Sequence, residues 1–140
     1  MTRRNPILER GYSEHKPFVR LRIAIINLRT GETINFEERC WVDTGFDGGI
    51  HVPNFRRSEV MMVGIDPRLT TLTLAGGVRV PGYACLAFIR EIEDYEIPAP
   101  GIETELIIQG TQDYGLIGLE VLKNWIAKFD GPRETLSFYM

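Results

Sequence analysis

Between Phe18 and Leu28 the chain alternates, with Val19, Leu21, Ile23 and Ile25 apolar and Arg20 and Arg22 polar. A period of two predicts a strand with one wet face at its start. Arg29-Thr30-Gly31-Glu32 then reads as a turn closing a hairpin, and Thr33–Val42 as the return strand. Ile50 and Val52 begin another strand. Ser58 to Gly64 resembles a short helix or a crossing loop, stopped by Asp66-Pro67, with Met61 and Met62 as core filler. Leu72-Thr73-Leu74 and Val78-Arg79-Val80 flank Ala75-Gly76-Gly77, a hairpin signal, and Tyr83 to Ile92 continues the β-pattern. Glu93 to Gly101 is an acidic, proline-rich loop, and Leu106-Ile107-Ile108 a short strand. Tyr114 to Leu119 is a buried apolar run interrupted by glycines, which mark close backbone approach or a bend. Val121, Leu122, Trp125 and Ile126 have helical spacing and predict a helix over Glu120–Lys128, ended by a turn at Phe129-Asp130-Gly131-Pro132. Thr135 to Tyr139 is the last strand. The pattern predicts a mainly β chain with one short helix near the carboxyl end. Residues 18–140 are expected to form a single domain. Residues 1–17, with Pro6, Gly11 and Pro17, read as an extended arm ordered only where something ties it down, with Ile7-Leu8 as its docking pair.

Composition narrows the function classes. With 140 residues, 44% apolar and 25% charged, the chain fits one globular core. A net charge of −3 gives no reason to expect nucleic acid or an acidic membrane as partner. No run approaches the roughly 18 apolar residues of a membrane span, and no apolar signal segment follows Thr2-Arg3-Arg4, so a cytoplasmic location is expected. Cys40 and Cys85 sit in strand-like apolar runs, as small buried thiols rather than a disulfide pair. His15 and His51 are far apart with no Cys or His cluster near them, so no metal site is expected. No nucleophile elbow, phosphate loop or dinucleotide fingerprint is present, and no cofactor is expected.

Candidate chemistry concentrates between Cys40 and Pro53. Asp43-Thr44-Gly45 follows directly on the strand ending at Val42, and Phe46-Asp47-Gly48-Gly49 makes a tight loop before Ile50. A carboxylate at a strand tip backed by glycines is held by backbone and can face outwards, which suits catalysis. The alternative is an aspartate that caps a turn with its own side chain.

Three features stand in order: Val42-Asp43-Thr44-Gly45 after a hairpin, the glycine hairpin Leu74-Ala75-Gly76-Gly77 some thirty residues on, and Leu116-Ile117-Gly118-Leu119-Glu120-Val121-Leu122 leading into a helix and final strand. This order resembles the retroviral-type aspartic proteases (retropepsins) and their cellular, single-domain relatives in bacteria and archaea, over roughly residues 18 to 139. The resemblance implies a closed retropepsin-like β-barrel carrying half an active site, hence a homodimer in which each protomer supplies Asp43. It implies an endopeptidase acting on a polypeptide substrate, with water activated by the paired carboxylates. Thr44 would tie the two loops across the dyad, and Gly45 would let backbone approach the carboxylates. Leu116-Ile117-Gly118 would support the active-site loop, with Ile117 and Leu119 in the core. Ala75, Gly76 and Gly77 would form the flap, and Phe46 and Val80 an apolar substrate wall. Asp47 fits a turn better than a second catalytic carboxylate. Against the viral enzymes, the loop at 46–49 is richer in glycine and the hairpin short. The loop at 93–101 looks inserted, near the cleft or the dimer interface. The competing reading is a catalytically silent dimeric module of the same fold that binds peptides by strand addition or serves assembly.

Overall fold

The computed structural model describes residues 5–140. Eleven strands and two short helices run in the order β1 (Leu8–Gly11), β2 (Phe18–Ile26), β3 (Thr33–Val42), β4 (Ile50–Val52), α1 (Arg56–Met62), β5 (Arg68–Thr73), β6 (Arg79–Ile92), β7 (Tyr95–Glu96), β8 (Ile102–Ile108), β9 (Gly115–Ile117), α2 (Leu119–Leu122), β10 (Ile126–Asp130) and β11 (Thr135–Tyr139). The larger sheet runs β2-β3-β9-β4-β8-β6-β5, and β6 also pairs with β2, which closes its first six strands into a barrel. Closure removes the free edges of these six strands, which would otherwise invite pairing with other chains, while β5 remains an edge strand. The 14-residue β6 makes this possible by pairing with β5 near its start and with β8 and β2 further on. The alternation in β2 and β3 does what it predicts: Val19, Leu21, Ile23 and Ile25 meet Phe36, Cys40 and Val42 in the interior.

The smaller sheet has the order β1-β11-β10. Its inward residues Leu8, Leu136 and Phe138 belong to the same core as the barrel. The amino-terminal segment is therefore tied down along β1, with Leu8 facing Phe138 in the register and the Ile7 N–H donating to the Phe138 carbonyl at 2.8 Å. Its residues 1–4 lie outside the described residues.

The carboxyl-terminal helix differs from its expectation. Only Leu119–Leu122 is helical, and Ile126–Asp130 is a strand whose backbone pairs with β11 from Ile126↔Tyr139 to Asp130↔Thr135. The apolar spacing misleads because Ile126 and Phe129 do not face the core: they are 57% and 41% exposed. Tertiary pairing outweighs local helical preference here. Phe129 and Asp130 accordingly belong to the strand, and the turn follows at residues 131–134. A helix does form at Arg56–Met62, where a helix or crossing loop was expected, so there are two short helices rather than one. Its Met61 and Met62 are exposed, not core filler; Val60 is its buried residue.

Candidate active site

β9 inserts between β3 and β4, parallel to the first and antiparallel to the second: Val42↔Ile117 on one side, Ile50↔Ile117 on the other. The loop connecting β3 to β4 must therefore arch over the end of β9. It is stitched there by backbone alone. The Asp43 N–H donates to the Ile117 carbonyl at 3.0 Å, Gly118 N–H to Gly49 at 2.8 Å, and Leu119 N–H to Phe46 at 2.9 Å. Such close approach requires glycine. A Cβ on Gly118 would come within 2.6 Å of the Phe46 carbonyl oxygen, and one on Gly115 within 2.7 Å of that of His51.

Asp43 sits at the apex of this arch. Its Oδ1 accepts a hydrogen bond from the Gly45 N–H at 2.9 Å, and the Phe46 N–H donates to its backbone carbonyl at 3.2 Å. A Cβ at residue 45 would lie 3.3 Å from Oδ1, so glycine leaves the carboxylate room. Asp43 is partly exposed, and Thr44 and Gly45 are exposed beside it.

A cleft of about 360 Å³ opens over the carboxylate. Asp43, Gly45, Phe46, His51 and Leu116 form one side, and Leu72, Thr73 and Leu74 form the other. The last three lead into the β5–β6 hairpin, whose Gly76 and Gly77 adopt φ of 84° and 81°, a turn geometry that suits glycine. The first strand of this hairpin thus borders the cleft that holds Asp43, while Ala75–Gly77 at its tip are not part of the lining.

The structure brings Asp43, Gly45, Phe46 and Leu116 together around one cleft, with Gly118 and the fully buried Ile117 beneath. Val80 stands opposite Leu72 in the hairpin but is not part of the lining. Leu119, expected in the core, is 43% exposed on α2. The 93–101 loop lies away from the cleft: Glu93 and Asp94 pair with Arg10 and Arg20 at 3.3 Å each. Sequence reasoning missed His51, Leu72 and Leu74. The alternation of residues 72–74 signalled a strand but not which face meets the carboxylate, and His51 carried no signal beyond its place beside the loop.

Three ionisable side chains of the barrel interior are shifted by burial. Burial lowers the His51 pKa, against the opposing effect of its hydrogen bond with Gln109. The Cys40 thiol is pushed well up by burial and Cys85 to about 11, so both stay protonated at neutral pH and serve as apolar filler. On the barrel wall, Glu38 is 3% exposed and meets Arg56 of α1 at 2.7 Å. No group of three or more metal-ligating side chains forms among the described residues, and no helix among them is long and apolar enough to cross a membrane.

No family model matches the sequence, and no curated protein matches it. Among solved structures the chain is similar to a retropepsin-like aspartic protease from Rickettsia conorii. That match has 17% sequence identity and a TM-score of 0.49, over 88% of this chain and 92% of that one.

Proposed function

We propose that this chain is one half of an aspartic endopeptidase, completed when two copies bring their Asp43 carboxylates together. The observation that carries the reading is the placement of Asp43: at the tip of a strand, braced by the Gly45 N–H, in a cleft bordered by the base of a glycine-tipped hairpin. A single carboxyl group cannot be ionised and protonated in the same step. Two within hydrogen-bond reach cannot both ionise comfortably, so they share one proton. The ionised member takes a proton from water, and the protonated one donates to the scissile carbonyl oxygen. Peptide hydrolysis then proceeds by direct attack of water, without a covalent intermediate. The exposure of Thr44 and Gly45 suits this reading, since they stand where a second copy of the loop would meet the first. Phe46, Leu72, Leu74 and Leu116 offer apolar surface to substrate side chains.

The test compares wild type with Asp43→Asn for cleavage of an unfolded protein between about pH 3 and 7, the range in which coupled carboxylates titrate. Both proteins are first shown to have dimer mass. Loss of cleavage by at least ~10³-fold in the variant is expected if Asp43 carries the proton transfers. A folded, dimeric wild type that binds extended peptides but cuts none would instead make the chain a peptide-binding module.

A further inference from the structure

Strands β2 and β3 set two arginines face to face on the outside of the barrel. Arg20 lies directly opposite Arg39 in their register, and both are exposed. Like charges in that position destabilise a sheet. Two residues along, Arg22 stands opposite Glu37, the complementary arrangement. Beside the arginine pair is a cavity of about 400 Å³, away from the cleft over Asp43. Its lining holds three cations (Arg10 of β1, Arg20 and Arg39), two carboxylates (Glu93 and Asp94, after β6) and the apolar Phe18 and Val19.

The two carboxylates leave one of the cations unmatched. Glu93 is committed to Arg10 and to the wall itself. Its Oε2 accepts from the Arg10 Nη1 at 3.3 Å, and its Oε1 accepts the backbone N–H of Arg20 at 3.0 Å. Asp94 meets the Arg20 Nη2 at 3.3 Å, but its side chain is fully exposed, where an ion pair is worth little. Arg20 also faces Glu37 at 3.7 Å, a carboxylate that it shares with Arg22. Arg39 takes part in no ion pair among the described residues. Its Nη2 donates to the Ser13 hydroxyl at 3.2 Å, and its guanidinium carbon lies 3.6 Å from the centre of the Phe18 ring. Stacking on a ring holds a guanidinium flat and leaves the N–H groups along its edge free to donate. Most of the donors of Arg39 are therefore uncommitted, on a side chain already held in one place.

We propose that this cavity is an oxyanion-binding site, in which Arg39 and Arg20 hold a phosphate or carboxylate group between them and Arg10 is the third cation. An anion there turns the like-charge pair into two charge-assisted contacts, the geometry that arginine offers to both kinds of group. The site lies on the hairpin that carries Asp43 at its end, but its assignment does not depend on the endopeptidase reading.

The experiment titrates the full chain at pH 7 with inorganic phosphate and, separately, with succinate. Chloride is exchanged to hold the ionic strength constant, because diffuse attraction depends on that strength. Binding is read from the arginine Nε–Hε resonances by NMR. In wild type, saturable shifts are expected at Arg20 and Arg39, and none at Arg29 or Arg133. Arg39→Gln is expected to weaken the tighter-binding probe by about tenfold, the loss of one hydrogen-bonded charge, while Arg29→Gln leaves the affinity unchanged. Tighter binding of phosphate identifies a phosphoryl ligand and tighter binding of succinate a carboxylate; either supports the site. Shifts that do not saturate, or that spread over all the arginines, mean diffuse attraction only and overturn it. Equal affinity in wild type and Arg39→Gln overturns it too. The wild-type shifts need no variant, and because the readout is binding, a failure of the peptidase test leaves this result separate.

Discussion

Glu38 shows how one buried charge is made tolerable. Its carboxylate receives the Arg56 Nε at 2.8 Å, while the same guanidinium donates to Glu59 at 2.9 Å and to the Glu37 carbonyl at 2.6 Å, and lies over the Phe36 ring at 4.4 Å. Burial raises the Glu38 pKa, and Arg56 only partly counters it. A carboxyl whose folded pKa lies above its unfolded value contributes stability that is full below the ordinary value of 4.5 and is lost as pH rises through the raised one. Removing the arginine strands the charge. Arg56→Met is therefore expected to cost about 3 kcal/mol at pH 7 by urea denaturation. The deficit should narrow as pH falls and Glu38 takes up a proton. Glu38→Gln should cost less, because it deletes the charge instead of leaving it unpaired. A loss for Arg56→Met that stays constant as pH falls would show that the pair contributes packing alone.

At the scale of elements, the decisive contact is β1 against β11. Four residues of strand would not hold alone, but Leu8 adds a buried side chain to the Leu136–Phe138 face, and Trp125 stacks on Phe138 at 5.2 Å. Leu8→Ala should lower stability by about 2 kcal/mol, as for other buried leucines truncated in a core. Chemical denaturation measures this, and an unchanged midpoint would mean that β1 contributes nothing to the folded state. The other pairing of β11, with β10, explains the misread helix. Periodicity finds apolar positions but not whether they face protein or solvent, and Ile126 and Phe129 lie on an edge strand whose backbone partner is supplied by residues 135–139. The hairpins were legible because their turns are local: Gly31, Gly76 and Gly77 adopt positive φ within a few residues of the strands they join.

For the whole molecule, the barrel closes within one chain while the proposed reaction needs two. Both edge strands of the terminal sheet, β1 and β10, belong to the same protomer as β11, so neither has to be borrowed to complete that sheet. Association would then fall to surfaces beyond it, the exposed Thr44–Gly45 tip among them. Sedimentation should give twice the 16.0 kDa chain mass at micromolar concentration, and the thermal midpoint should rise with protein concentration, as mass action requires of a dimer that stabilises its folded subunits. A stable monomer across that range would remove the catalytic reading, because half a site cannot share a proton.

The amino-acid sequence by itself determined the β-character, the β2–β3 and β5–β6 hairpins, the buried thiols and the position of Asp43 at a strand end. Each of these depends on alternation, glycine and strand length, which act between near neighbours in the chain. Only the tertiary structure decided that β9 wedges between β3 and β4, that Ile126–Asp130 is a strand, and that His51, Leu72 and Leu74 share a cleft with Asp43. The first and third depend on segments up to 75 residues apart, as between Cys40 and Gly115, and the second on β10 taking β11 as its backbone partner. The free energy of such pairings comes from burial and backbone hydrogen bonds made across the barrel, and local pattern carries no record of which partner is chosen.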